Sequence, residues 1–530
     1  MSSDTRLLLG DEALAQGALD AGISGCYAYP GTPSTEIMEF IQRCPERRER
    51  PLHAQWSVNE KTAMEAGLGM SYAGRRAIVC MKHVGLNVAA DAFINAGVTG
   101  VNGGLVVVVA DDPSMHSSQN EQDSRFYAKF ALVPCLEPAT QQEAYDMAGY
   151  GLALSEELRL PVLLRLATRL AHSRADVRPG PRRAPNDLAM PADARRFVLL
   201  PGNARRNYAA LVARQPELVK AAQTGFTEFR PGPDRSLGIL AAGLTLNYLY
   251  ESFPGGACPH PLLKVGQYPV PPDLLRQLLD SCDRVLVLED GMPLLEESLR
   301  GPLGDDARIL GRLSGQLPRT GELSPDTVAA ALGRPPAAAR PASSLAVARP
   351  PRLCDGCPHI DSYKALQAAL ADSPASRVFA DIGCYTLGAL PPFEAIHSCV
   401  DMGASISMAK GAADAGLHPA VAVIGDSTFT HSGMTSLLDA VVENTRMTVL
   451  ILDNGTTGMT GGQASAASGR LDALVAGLGI PAANLQVITP LPKQHAANVA
   501  ALRHAIFDTQ GPAVVIARRE CIQTAKTQKK

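Results

Sequence analysis

Gly425-Asp426-Ser427, followed by Leu452-Asp453-Asn454-Gly455-Thr456-Thr457-Gly458-Met459-Thr460-Gly461-Gly462-Gln463, is the stretch whose reading decides the fold. An apolar run over 420–424 ends at the acidic Gly425-Asp426-Ser427 turn. A helix-like segment over 432–444 follows, with Leu437, Leu438, Val441 and Val442 as its apolar face. A second apolar run over 447–452 then delivers Asp453-Asn454. The pattern predicts strand, helix, strand, with oxygen ligands at the carboxyl ends of both strands. Open α/β sheets bind ligands at those ends. Asp426 and Asn454, 28 positions apart, suit a hard cation such as Mg²⁺, which takes oxygen ligands and keeps a bound diphosphate among them. The glycines let backbone N–H groups approach phosphate.

Composition sets the frame. At 530 residues the chain is long enough for about three domains with cores of their own. Hydrophobic residues make up 46% and charged residues 19%, which excludes disorder over most of the length. A formal net charge of −3 offers no electrostatic case for nucleic acid or a membrane surface. The amino-terminal apolar stretch is soon broken by Gly10-Asp11-Glu12 and is no signal peptide. No run approaches the roughly 18 apolar residues of a membrane span. Eleven scattered cysteines point to reduced thiols or metal ligands, and the cytoplasm is the expected compartment.

Three blocks and two seams follow. Residues 1–195 alternate helical patterns with short apolar strands over 76–81 and 104–110, the second nearly all Val and Leu, as in a buried parallel strand. A Pro/Arg-rich seam over 178–185 closes this block, and 196–235 reads as a polar, helical connecting segment. Residues 236–335 form a second α/β block with strands over 237–240 and 284–288. A Pro/Ala linker covers 336–351. The third block, 352–530, carries the diphosphate motif and ends in a tail over 526–530 expected to fray.

That motif resembles the diphosphate-binding sequence of thiamine diphosphate enzymes, with Ser427 where a glycine is usual. The resemblance implies a pyrimidine-binding domain and a diphosphate domain, here residues 1–195 and 352–530. A carboxyl is then needed beside the aminopyrimidine ring to promote its imino tautomer. Glu60, in Trp56-Ser57-Val58-Asn59-Glu60-Lys61-Thr62-Ala63-Met64-Glu65-Ala66-Gly67, stands in that context at the start of a small-residue helix. Glu65 is its rival, and a plain helix-start carboxylate is the alternative reading of Glu60.

Further strings carry a closer resemblance: Tyr29-Pro30-Gly31-Thr32-Pro33-Ser34-Thr35-Glu36, Lys82-His83-Val84-Gly85-Leu86-Asn87, Asp111-Asp112-Pro113 leading to Ser117-Ser118-Gln119-Asn120-Glu121-Gln122-Asp123-Ser124-Arg125, Cys354-Asp355-Gly356-Cys357-Pro358-His359, Asp381-Ile382-Gly383-Cys384-Tyr385-Thr386-Leu387-Gly388 and Met459-Thr460-Gly461. In the same order over nearly the whole chain, they resemble the large, α-type subunit of indolepyruvate:ferredoxin oxidoreductase, one of the 2-oxoacid:ferredoxin oxidoreductases. The resemblance implies two thiamine-diphosphate-binding parallel-sheet domains flanking a transketolase-C-terminal-like α/β domain at 236–335. The implied reaction is oxidative decarboxylation of an arylpyruvate, with coenzyme A taking the acyl group and electrons leaving to ferredoxin or another acceptor. It also implies a smaller β-type partner subunit in a dimer of heterodimers.

By motif, Asp426, Asn454 and the Thr456 carbonyl are the implied Mg²⁺ ligands, with Gly425, Ser427, Thr460 and Gly461 beside the diphosphate. Thr32 is placed near the reacting end of the cofactor. His83, Ser118, Gln119 and Arg125 are candidates for the substrate pocket. For His83 an interface hydrogen bond, and for Arg125 an interdomain ion pair, stand as equal alternatives. Four cysteines of the third block, Cys354, Cys357, Cys384 and Cys521, could close around zinc or iron–sulfur, or be plain reduced thiols. The resemblance tips this toward one 4Fe–4S cluster. Cys26, Cys80 and Cys399 read as core-filling thiols.

Relatives continue into a ferredoxin-like domain with C-x₂-C-x₂-C-x₃-C-P runs. This sequence has no such run, so long-distance electron output is expected either to come from another chain or to be absent. The alternative function is a non-oxidative thiamine-dependent decarboxylase or carboligase.

Overall fold

A computed structural model describes residues 5–49, 51–191, 193–223, 225–253, 255, 258–304, 306–336, 343–347 and 350–528. The chain divides into two compact units, Met1–Pro341 and Ala342–Lys530. Most of the 336–351 linker lies outside the described residues.

The first unit is built on a seven-stranded sheet in the order Gln267–Tyr268, Cys135–Leu136, Val162–Ala167, Leu105–Asp111, Ala77–Lys82, Gly25–Ala28, His53–Trp56. All pairings are parallel except that of Gln267–Tyr268 with Cys135–Leu136. Its central strands read as continuous apolar runs because both faces are covered. Ile78, Cys80, Val106 and Val108 join a core with helices Gly10–Asp20 and Gln141–Leu158. Ala77, Val79, Met81, Leu105, Val107 and Val109 join another with helices Glu60–Tyr72 and His83–Thr99. Cys26 and Cys80 fill core positions here, as expected.

A second sheet of this unit runs Ile309–Leu310, Val285–Leu288, Gly238–Ala242, Leu262–Val265, Glu228–Arg230. Its antiparallel edge strand, Glu228–Arg230, comes from the segment expected to be a mere connector. The pattern missed it because three residues at an edge carry no periodicity.

Arg125 is fully buried and meets Asp123, Glu289 at 3.0 Å, the Tyr268 hydroxyl at 3.1 Å and the Met292 carbonyl at 2.8 Å. Arg165, also buried, bonds Asp111 at 2.6 Å and pairs with Glu137. Arg312 completes the set against Asp290 at 3.3 Å. The ion pair is therefore the reading of Arg125 that the geometry supports. Such a network tolerates no missing partner: removing one side of a buried pair costs about 3–5 kcal/mol.

The second unit holds a six-stranded parallel sheet in the order Ser398–Cys399, Arg377–Ala380, Ala420–Gly425, Thr448–Asp453, Ala513–Arg518, Leu485–Ile488. Val421, Val423, Leu450 and Val515 face one core. Ala422, Ile424, Val449, Ile451, Val514 and Ile516 face the other. The helix expected over 432–444 starts earlier. Helical geometry begins at Asp426, passes through a π turn at Phe429–Gly433 and continues as Met434–Val442. Inserted π turns gather at functional sites. The tail expected to fray is helical over Ile522–Gln528, while 529–530 lie outside the described residues. Among the described residues, no helix is long and apolar enough to cross a membrane.

Candidate functional site

In the second unit every singled-out loop leaves the carboxyl end of a parallel strand. Asp381 and Cys384 follow Arg377–Ala380, Asp426 follows Ala420–Gly425, Asn454 follows Thr448–Asp453, and Cys521 follows Ala513–Arg518. Asp426 is buried, and its Oδ2 has no hydrogen-bond partner. Burial, with Asp453 adding repulsion, pushes its carboxyl up to about 7, against hydrogen bonds from Ser465 and the backbone. A buried carboxylate oxygen without a donor is costly unless a proton or cation meets it. Asn454 is buried too, its Oδ1 accepting from the Thr456 N–H at 3.0 Å. Gly455, at φ +73°, makes the turn that brings Thr456 round. These are hard oxygen donors of the kind that could hold Mg²⁺.

Ser427 has a visible task where glycine is usual. Its Oγ accepts from Thr457 Oγ1 at 3.0 Å, tying the two strand-end loops together. Thr460 donates to Gln463 Oε1 at 2.7 Å and Gln463 returns a bond to the Thr460 carbonyl at 2.9 Å, which stiffens the exposed Gly461 turn.

Gly425 cannot carry a side chain, because a Cβ there would lie 2.7 Å from the Tyr385 ring. Tyr385 in turn donates to Asp381, whose Oδ2 accepts from Ser405 Oγ at 2.6 Å. Burial pushes the Asp381 carboxyl up to about 7. His359, of the Cys-Pro-His string, sits with Nε2 3.4 Å from Asn454 Nδ2, its pKa lowered to about 4 by burial. Sequence reasoning quoted Tyr385, Asp381 and His359 only as parts of motifs and gave them no task.

The four cysteines gather. Burial, then the charges of Cys354 and Cys521, pushes the Cys357 thiol up to about 11. Burial, then Cys357, Cys521 and Cys354, pushes Cys384 up to about 12. The set lies beside the Asn454 loop: the Cys521 N–H donates to the Asn454 carbonyl at 3.1 Å, and Cys384 Sγ would be 3.3 Å from a Cβ on Gly458. Among the described residues, no three of these sulfurs lie within 4.8 Å of one another. Tetrahedral zinc would hold them about 3.8 Å apart, given bonds of ~2.3 Å. A polyatomic cluster bonds each thiolate to a different iron and spreads them wider. Cys399 is half-buried, not part of a tight core.

The first unit repeats the plan. Thr32 follows Gly25–Ala28, Glu60 follows His53–Trp56, His83 follows Ala77–Lys82, and Ser118 with Gln119 follows Leu105–Asp111. The strand succession reverses around Gly25–Ala28, and such reversals form ligand crevices. Glu60 is 5% exposed at the first turn of its helix, which Asn59 caps by accepting from the Thr62 N–H at 2.9 Å. Gly85 packs onto it so closely that a Cβ would stand 2.5 Å from Glu60 Oε1. Glu65 lies on the exposed face, paired with Lys61. His83 is buried, its Nε2 3.3 Å from the Asn120 carbonyl and its Nδ1 without a hydrogen-bond partner. Ser118 donates to Asp112 at 2.6 Å, Gln119 is exposed, and Thr32 is half-buried. Lys82 donates to the Ser117 carbonyl at 2.8 Å, a loop clamp that sequence reasoning did not single out.

Comparison with known proteins agrees with this architecture. Residues 16–225 match the family described as pyruvate flavodoxin/ferredoxin oxidoreductase, thiamine diP-bdg. Residues 381–517 match the thiamine pyrophosphate enzyme, C-terminal TPP binding domain. Indolepyruvate oxidoreductase subunit IorA of Methanothermobacter thermautotrophicus is 40% identical over 87% of this chain and 76% of its own length. The protein of that name from Archaeoglobus fulgidus is 36% identical over 97% and 86% respectively. Among solved structures, a 2-oxoglutarate:ferredoxin oxidoreductase from Magnetococcus marinus, with 2-oxoglutarate, coenzyme A and succinyl-CoA bound, superposes at a TM-score of 0.51. It covers 62% of this chain and 65% of that one at 16% identity, a likeness of fold alone.

Proposed function

The chain belongs to the family of indolepyruvate oxidoreductase subunit IorA, thiamine diphosphate-dependent 2-oxoacid oxidoreductases, and we propose that it is the large catalytic subunit for oxidative decarboxylation of an arylpyruvate such as indolepyruvate. A 2-oxoacid and coenzyme A give the acyl-CoA, CO₂, a proton and two electrons. The electrons go to ferredoxin or another acceptor, with a smaller β-type subunit as partner.

The observation that carries this reading is the buried, unpartnered Asp426 Oδ2 at a strand end beside Asn454 and the Thr456 loop. Thiamine diphosphate, when bound, supplies the carbanion chemistry that releases CO₂ from a 2-oxoacid. This chain's residues supply the rest. Asp426, Asn454 and the Thr456 carbonyl would hold Mg²⁺, and Gly425, Ser427, Thr460 and Gly461 would shape the cradle. Glu60, held by Gly85, would hold the proton of the aminopyrimidine ring. Thr32 and His83 would face the reacting end, and Gln119 and Ser118 the substrate. Cys354, Cys357, Cys384 and Cys521 would bind one 4Fe–4S cluster, a one-electron acceptor that sets this reading apart from non-oxidative decarboxylation. In domain terms, 1–195 would bind the pyrimidine, 236–335 would be the transketolase-C-terminal-like domain, and 352–530 would bind the diphosphate.

The test is anaerobic purification with the small subunit, then viologen reduction against a panel of 2-oxoacids with and without coenzyme A. Dye reduction that is fastest with arylpyruvates and depends on coenzyme A is expected. Aldehyde release without dye reduction would establish the non-oxidative lyase instead.

A further inference from the structure

We propose a second metal site, for a divalent transition ion such as Zn²⁺, formed by Asp11, Glu36 and His172 in the first unit. These residues lie far apart in the sequence, yet one ligand atom from each falls within 4.8 Å of the other two. Asp11 stands on helix Gly10–Asp20, Glu36 in the first turn of helix Thr35–Arg43, and His172 just after the short helix Thr168–Ala171. Close packing at Gly10, where a Cβ would be 2.2 Å from the Leu170 carbonyl oxygen, holds the first and third of these together.

A cluster of carboxylates is common without an ion. What distinguishes this one is Asp11, which is completely buried, receives no N–H or hydroxyl donor on either carboxylate oxygen among the described residues, and meets only the Glu36 carboxyl. Glu36 Oε2 meets His172 Nε2 at 3.4 Å. Buried acceptors without donors are rare and costly, and a cation shared with a neighbouring imidazole satisfies all of them together. Two carboxylates and one imidazole are a donor set for Zn²⁺ and its first-row neighbours, with a position left for water. His172, with 34% of its side chain exposed, leaves the ion a way in. Glu36 closes the string that carries Thr32, so the ion would pin the base of the Thr32 loop to two other helices. The role is structural and does not depend on the assignment of the thiamine reaction.

The test compares wild type with His172→Ala and Glu36→Gln, each prepared anaerobically with cofactor and cluster loaded and dialysed against Zn²⁺. Wild type should retain one equivalent more than either variant. Since the cysteines are unchanged, zinc there cancels in the difference. Co²⁺ substitution should add a visible d–d band without a thiolate charge-transfer band, and that band should vanish in His172→Ala. Equal zinc contents in wild type and His172→Ala would overturn the site and leave Asp11 and Glu36 as a pair sharing a proton.

Discussion

Replacing Gly85 with Ala should cripple cofactor activation while leaving the fold in place. The new Cβ would lie 2.5 Å from Glu60 Oε1, 2.6 Å from Cγ and 2.8 Å from Cδ, whereas ordinary contact begins at 3.4 Å. The Glu60 carboxyl must therefore retreat by about 0.9 Å. A misplacement of about 1 Å in a catalytic group can cost ~10²-fold in rate. Stability behaves differently. Overpacking costs about 1–3 kcal/mol, and exchanging a helical glycine for alanine returns up to about 1 kcal/mol. A net destabilisation of roughly 0–2 kcal/mol is left, and the melting temperature should fall by a few degrees. The assay is deuterium exchange at C2 of bound thiamine diphosphate, followed by NMR, with cofactor affinity and melting measured on the same preparations. Glu60→Gln serves as the reference, since it removes the carboxyl without moving it. The expected pattern is affinity near wild type in both variants, with exchange slowed about a hundredfold by Gly85→Ala and at least as much by Glu60→Gln. Normal exchange in Glu60→Gln would remove Glu60 from the mechanism. Normal exchange in a folded Gly85→Ala would show that the carboxyl's exact position does not matter.

Other outcomes follow from the same geometry. Asp426→Ala, which deletes the buried oxygen that would meet the proposed cation, should weaken Mg²⁺-dependent cofactor binding by about 100-fold or more; unaltered titration curves would mean the diphosphate site has been misplaced. Cys384→Ser should lower anaerobic iron and sulfide from about four of each per chain to a small residue, and stoichiometric zinc in the wild type would count against the cluster. Arg165→Met should destabilise the first unit by about 3–5 kcal/mol, read as a lower urea midpoint. Arg169→Ala, which breaks a half-exposed pair with Glu322, should cost under about 1 kcal/mol.

The strand ends were legible because buried parallel strands announce themselves. Leu105–Asp111 and Ala420–Gly425 are nearly unbroken apolar runs, and Asp426, which follows the second, is the proposed cation ligand. The helix after Asp426 starts earlier than the pattern predicts because Thr428, Thr430 and His431 resemble a loop. Their helicity comes from packing: Phe429 is fully buried, and Thr430 Oγ1 bonds back to the Ser427 carbonyl at 3.0 Å. Sequence leaves the two readings of Arg125 equal because its partners Glu289 and Tyr268 are more than a hundred positions away. Gly85 was quoted within a motif, but its task could not be read there, since the contact with Glu60 joins two helices. Asp11, Glu36 and His172 carry no spacing signature at all.

The two-residue strand Gln267–Tyr268 has a consequence for how the chain is made. During synthesis the strands up to Val162–Ala167 exist long before residue 267, so the Cys135–Leu136 edge stays open and adhesive meanwhile. Arg125 is likewise without its Tyr268 and Glu289 partners until those residues leave the ribosome. A fragment ending near residue 195 would expose both the raw edge and a half-neutralised charge cluster. The nascent first unit should therefore depend on chaperones until residues 267–290 have emerged, and truncations between 195 and 290 should aggregate where the complete 1–341 segment stays in solution.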